Sequence, residues 1–174
     1  FLLAEGDVKI SDIEGNVLKA EKATYDKINE IITTYNETEL KLKEGYNLKT
    51  KNILYNTAKK ILSANENSIF TDNEGNIVET NMFQYQIENN LFSSIGEIKI
   101  VDAKKNKYFF KEIHIDTEKK EMIGSDVSLA LNQENFGLNE ENDPRFVAND
   151  ILISKNSTDL SKGVFTVCKK RKGK

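Results

Sequence analysis

Very few side chains in this 174-residue chain have the types and spacing that reactions require. His114 is the only histidine, and it lies in an alternating segment on the face opposite Ile113 and Ile115. A catalytic imidazole needs a nucleophile or a carboxylate brought next to it, and no motif around His114 supplies one. Asp72-Asn73-Glu74-Gly75-Asn76 carries oxygen ligands as a calcium loop does, but it lacks the alternating positions and the closing bidentate Glu. Cys168 is the single cysteine and precedes Lys169-Lys170-Arg171-Lys172. Beside such cations it could be a reactive thiolate, a small buried hydrophobe, or half of a bridge to another part of the protein. One cysteine closes no internal disulfide. These residues point away from an enzyme, and no metal or cofactor site is expected.

The elements that carry these residues repeat. Tyr25, Tyr55 and Tyr85 are spaced by thirty, and Ile115 continues their column. Ala23, Ile53, Phe83 and Ile113 form a second column, and Ile10, Leu40, Phe70 and Ile100 a third. Glu14-Gly15 recurs as Glu44-Gly45 and Glu74-Gly75. A period of this length means stacked supersecondary units sharing one continuous core.

Within each unit apolar residues alternate, which is the pattern of strands. The expected strands are Val17 to Asp26 and Ile31 to Leu42, Tyr46 to Asn56 and Ile61 to Thr71, Ile77 to Gln86 and Leu91 to Asp102, then Lys107 to Asp116 and Glu121 to Leu131. Glu5 to Ile10 precedes them as an edge strand, and Phe146 to Ile153 resumes the pattern. Gln133 to Arg145, with the only proline, is expected as a surface insertion, and Lys155 to Lys162 as a polar loop. The alternation has one repeated irregularity, a step of three from Ala20 to Ala23, Thr50 to Ile53 and Thr80 to Phe83. Such a step changes face unless a β-bulge absorbs the extra residue. Bulges at one height in successive units would curve two facing sheets.

Charge adds little direction. Lys and Arg number 25 against 28 Asp and Glu, a net charge of −3, so nucleic acid is not an expected partner. No apolar run reaches the length of a membrane-spanning helix. The chain begins at Phe1 and ends within a basic run, which reads as a domain over 1–168 followed at 169–174 by the start of a connector.

Two phrases make the chain recognisable. Ala4-Glu5-Gly6-Asp7-Val8-Lys9-Ile10, followed by Ala20-Glu21-Lys22-Ala23-Thr24-Tyr25, resembles the repeat of the OstA-like domains of lipopolysaccharide transport proteins. Ile95 to Ile100 and Ile123 to Leu129 look like degenerate copies of the first phrase. Asn142 to Asn149 and then Gly163 to Cys168 are similar to the LptD family of outer-membrane assembly proteins, just before their β-barrel.

The resemblance implies an all-β, V-shaped two-sheet β-jellyroll with an apolar groove. It further implies a non-enzymatic role at the periplasmic face of the outer membrane, passing lipopolysaccharide by its lipid A acyl chains. Implied partners are a neighbouring periplasmic β-jellyroll, joined by edge-strand addition, and an outer-membrane lipoprotein that accompanies the barrel. It implies an inter-domain disulfide for Cys168. The groove stripe would consist of Ile10, Ala23, Tyr25, Leu40, Ile53, Tyr55, Phe70, Phe83, Tyr85, Ile100, Ile113, Ile115 and Ile151. A single-domain bridge of the LptA or LptC type, or a β-solenoid adhesin with a dry core, are the alternative readings.

Overall fold

The computed structural model describes residues 1–13, 15–43, 45–136 and 144–168. Glu14, Glu44, most of the expected 133–145 insertion and the basic run 169–174 lie outside the described residues. Among the described residues, fifteen strands join edge to edge in one continuous antiparallel meander. They are β1 (Leu2–Ser11), β2 (Val17–Asp26), β3 (Ile31–Lys41), β4 (Asn47–Lys51), β5 (Leu54–Asn56), β6 (Ile61–Ala64), β7 (Ser68–Thr71) and β8 (Ile77–Thr80). There follow β9 (Phe83–Gln86), β10 (Leu91–Val101), β11 (Lys107–Asp116), β12 (Glu121–Ala130), β13 (Arg145–Ile153), β14 (Thr158–Ser161) and β15 (Val164–Thr166).

The three-residue step marks where the sheet creases. In the first unit the β2–β3 register slips between Ala20 and Lys22, as a bulge requires. In the second and third units the strand breaks outright, so that β4 and β5 replace one expected strand and β8 and β9 another. Ile61 to Thr71 is likewise two strands, β6 and β7, and not one. The return strands carry the same fault, which their alternation did not reveal. Register shifts fall between Glu5 and Val8 and between Ile95 and Ile98. Gly6 and Gly96 adopt φ of 77° and 118° there, a region that costs a side-chain-bearing residue.

All these faults lie on one line. Along it the sheet folds into two arms that face each other as a V-shaped β-jellyroll. One arm holds the turns near residues 12–16, 42–46, 72–76 and 102–106, and the other those near 27–30, 57–60, 87–90 and 117–120. The second set repeats one device. Glu30, Lys60, Asn90 and Lys120 all have positive φ, from 53° to 59°, at the closing position of a four-residue turn. Asp26, Asn56 and Asp116 cap the turns by accepting from backbone N–H groups two or three residues on.

In three turns of the first set, all but that near 42–46, an Asp–Asn pair ties the loop together. The Asp72 carboxylate accepts from the backbone of Glu74 and Asn76 and from the Asn76 amide. Asp12 with Asn16 and Asp102 with Asn106 repeat it. Each Asn oxygen then accepts the backbone N–H of the next turn, at Lys43, Ala103 and Asn132. This ladder explains the acidic residues of 72–76 as turn chemistry.

Two expectations at the C-terminal side are corrected. Lys155 to Lys162 is not all loop, because Thr158–Ser161 pairs with β13 as β14. Pro144 is buried and not on the surface, and its carbonyl accepts from Leu131 N–H at 2.9 Å, so it opens the next rung.

Candidate functional site

The space between the arms receives one apolar stripe from every rung. Alternation along each strand sends Leu18, Leu40, Leu48, Phe70, Val78 and Ile100 inward from one arm, and Tyr25, Tyr55, Leu62, Tyr85, Phe92 and Ile115 from the other. The charged residues between them point outward and pair with one another across strands, as in Lys22–Glu5 at 2.7 Å and Lys99–Glu79 at 3.0 Å. Such exposed pairs add little stability, but they keep charge away from the interior.

The predicted stripe divides into two classes. Ile53 and Ile113 have no exposed surface, and Ile151, Phe83 and Ala23 keep only 2%, 3% and 4%. These five sit in the crease and form its dry floor. Leu40 is also buried. Ile10, Tyr25, Tyr55, Phe70, Tyr85, Ile100 and Ile115 are half-buried and stand further out, where one side of each remains reachable. All of these but Tyr25 pack against the buried core, together with Leu42, Val78, Tyr108, Met122, Ile153 and Leu160, which were not in the predicted stripe. Their columns were available: Leu18, Leu48, Val78 and Tyr108 are spaced by thirty, as are Leu62, Phe92 and Met122.

Bending the sheet strips backbone groups of their ladder partners, and buried hydroxyls replace those partners. Thr34 Oγ1 accepts the N–H of Ile53 at 2.9 Å and is itself fully buried. Thr50 and Ser68 bond to each other at 2.7 Å, and Ser68 donates to the Glu66 carbonyl. Thr80 and Ser94 both donate to the Met82 carbonyl, at 3.0 and 2.7 Å. Among the described residues no buried side-chain polar atom is left unpaired.

The arms touch at three depths. At the crease, Phe110 lies over Gly124, where a Cβ would come within 2.6 Å of its ring. Further out, Phe70 from one arm reaches edge-on both Phe83 at the crease and Phe92 of the other arm, at centroid distances of 4.8 and 5.0 Å. At the mouth, Lys120 Nζ stands 3.6 Å from Glu74 Oε1. Near the mouth the Tyr108 hydroxyl donates to Asp102 at 3.0 Å. Burial, with the adjacent carboxylate second, pushes this phenol up to about 12.

The other candidates take ordinary places. His114 lies on the outward face, with Ser93 Oγ 3.0 Å from Nδ1 and Glu112 Oε1 2.9 Å from Nε2. The order serine, histidine, carboxylate is that of a hydrolytic relay, but the surrounding backbone N–H groups are committed to the ladder and offer no oxyanion donors. Cys168 is exposed two residues beyond β15, its carbonyl accepting from Arg145. Two open hollows of about 570 and 490 Å³ run along the outside of the crease, lined largely by charged side chains of both signs. Among the described residues, apolar side chains gather between the arms and charge is segregated to the outer surface.

No family model matches the chain. No curated protein matches it in sequence either. Among solved structures, it resembles the crystal structure of LptH, the LptA-homologous periplasmic component of the conserved lipopolysaccharide transport device from Pseudomonas aeruginosa. The TM-score is 0.55 and the identity 12%, over 62% of this chain and 79% of that one. At that identity the likeness concerns the fold: an LptA-like β-jellyroll.

Proposed function

We propose that this domain carries lipopolysaccharide through the periplasm by holding its acyl chains between the two arms, as a bridge of the LptA type. One observation carries the reading. The inward apolar stripe runs through the whole meander and does not stop at the last rungs. Ile10 on the first rungs, Tyr55 and Ile100 on the middle ones and Ile115 and Ile153 on the last are all half-buried, so each adds apolar surface between the arms that the protein's own packing covers only in part.

The energetics favour such a device. Exposing a methylene to water costs about 0.8 kcal/mol, so one long acyl chain costs roughly 10 kcal/mol. A lipid with several chains therefore crosses water only with its tails covered. The half-buried residues Tyr25, Tyr55, Ile100 and Ile115 are the surfaces such tails would meet. A neighbouring β-jellyroll would add to the free edge of β1, because strand addition satisfies unpaired backbone groups without particular side chains.

The narrower assignment to the LptD family rests on the order of its motifs, with Cys168 as an inter-domain disulfide and a lipoprotein beside the barrel. The exposure of Cys168 is compatible with that pairing. The likeness to LptH supports the bridge reading in preference. Peptide mapping of the unreduced full-length protein bears on the choice, since a free Cys168 removes the disulfide and with it part of the case for LptD.

The transport reading is tested by photo-crosslinking in a lipopolysaccharide-producing cell. A photoreactive residue at Ile115 or Ile100 is expected to capture lipopolysaccharide, and one at the exposed turn residue Lys59 is not. Equal capture at both kinds of position would defeat it.

A further inference from the structure

The three places where the arms meet are not equivalent. The Phe110–Gly124 contact lies at the crease, where separation of the arms barely moves it. Phe70 and the Glu74–Lys120 pair lie progressively further from the crease, where the same rotation moves them most. Phe70 belongs to β7 on one arm, whereas Phe83, at the crease, and Phe92 belong to β9 and β10 of the other. Their edge-on packing is a side-chain contact between elements with no shared backbone pairing. Outside it, Glu74 closes the β7–β8 turn and Lys120 the β11–β12 turn, so their ion pair spans the mouth.

These contacts also fall in the middle of the stack. Ile10 and Tyr25 lie on the rungs before them, and Ile115 and Ile153 on the rungs after. A hydrocarbon held along the whole interior must pass the position of the Phe70 ring. The ring is only half-buried and is held by other rings, not by hydrogen bonds. Edge-on aromatic contacts contribute modestly, and an exposed ion pair contributes less, so both can be broken and remade.

We propose that Phe70, with the Glu74–Lys120 pair outside it, is a gate between the arms: its packing on Phe83 and Phe92 holds the arms together part-way along the stack and opens when an acyl chain enters. The gate rests on the conduit reading above. It predicts that entry of a lipid is limited by separation of the arms and not by diffusion to the ends of the stack. Lids of this kind open on the microsecond to millisecond scale.

The test uses the 174-residue chain with Cys168→Ser, and cysteines at Glu74→Cys and Lys120→Cys joined by a short bis-maleimide that contains a reducible disulfide. The probe is a long-chain fatty acid carrying an environment-sensitive fluorophore, with its uptake followed by stopped flow. The joined protein is expected to take up the probe slower by about tenfold or more, and reduction of the linker to restore the rate. Phe70→Ala is expected to speed uptake beyond the wild type, and Phe70→Leu, which keeps more of the packing, to fall between. Equal rates before and after reduction would overturn the gate and leave the conduit standing. Absence of binding by the wild type, Phe70→Leu and the reduced protein alike would overturn the conduit and the gate with it.

Discussion

The crease and the flanks of the two arms are built from apolar columns that look alike in sequence and behave differently in the fold. Ile113 and Ile115 are two residues apart on one strand and share one inward face. Ile113 has no exposed surface, whereas Ile115 is half-buried. Distance from the crease decides it. At the crease the two arms are too close for anything but side chains of the protein. Further out they diverge, and a side chain covers its partner only in part. A repeat therefore encodes two kinds of residue at one period, a hinge that must be filled and a wall that is left available.

The strongest way to break this comparison is to truncate both members. Ile113→Ala is expected to cost about 2–5 kcal/mol, because it leaves a cavity in packing that cannot collapse around it. Ile115→Ala is expected to cost about half of that or less, since much of its surface is still wet. Denaturant unfolding gives the stabilities, and lipopolysaccharide capture gives the second axis. Ile115→Ala should weaken capture in a protein that remains folded. Similar costs at both positions would mean that the crease and the flanks are one core.

The next test addresses how the crease tolerates its broken ladder. Thr34→Val keeps the shape of the side chain but removes the acceptor of the buried Ile53 N–H. An orphaned buried donor costs about 1–3 kcal/mol. The expected loss lies in that range, and Thr33→Val, one residue along on a half-buried position, should change stability much less. A negligible effect of Thr34→Val would show that the Ile53 amide does not depend on the hydroxyl.

The division between hinge and wall was only partly readable from the residues. The thirty-residue columns and most turns follow from alternation and from side chains such as Asp26 and Asp72, because those signals are local. The step of three told where each outgoing strand bends. It did not tell whether the strand bulges, as at Ala20, or breaks, as around Asn52 and Ile53, because the apolar pattern is the same in both units. β14 escaped notice because it pairs on one side only and shows a single inward apolar residue, Leu160. The cross-arm contacts of Phe70 and Glu74 depend on how far the sheet folds over, and no spacing within the chain records that angle. Burial by itself also could not be read from the columns, since Phe83 and Tyr85 belong to equally regular series.

A smaller effect separates the mouth from the crease by pH. The Tyr108 phenol lies near the open side, yet burial and Asp102 raise it from an ordinary 10.0 to about 12. Its folded value is raised, so its contribution to stability is complete below pH 10 and is lost as pH rises towards about 12. Unfolding measured across that window should show a decline that Tyr108→Phe lacks, and absorbance should show one phenol ionising late. A Tyr108 that titrates with the exposed phenols would indicate that the mouth is wetter than the packing implies.

The smallest expected effect lies furthest from the crease, in the turns that close the second arm. Lys60 holds φ at 54°, at the position shared by Glu30, Asn90 and Lys120. A side chain there meets the following carbonyl, a cost of roughly 1–2 kcal/mol that glycine avoids. Glycine also loses more backbone freedom on folding, which offsets part of the gain. The Lys60 carbonyl accepts the Ile87 N–H at 2.9 Å, a bond between successive turns that the substitution leaves intact. Lys60→Gly is therefore expected to stabilise by about 0.5–1 kcal/mol. Lys60→Ala should give no such gain, because it keeps the Cβ. The same glycine at Thr34, in the crease, should destabilise instead, since that residue contributes a hydroxyl and packing and sits in ordinary strand geometry. Opposite signs at the two sites would show that turn strain is independent of the hinge. A loss of stability in Lys60→Gly would mean that the Lys60 side chain contributes to the turn more than its backbone strain costs.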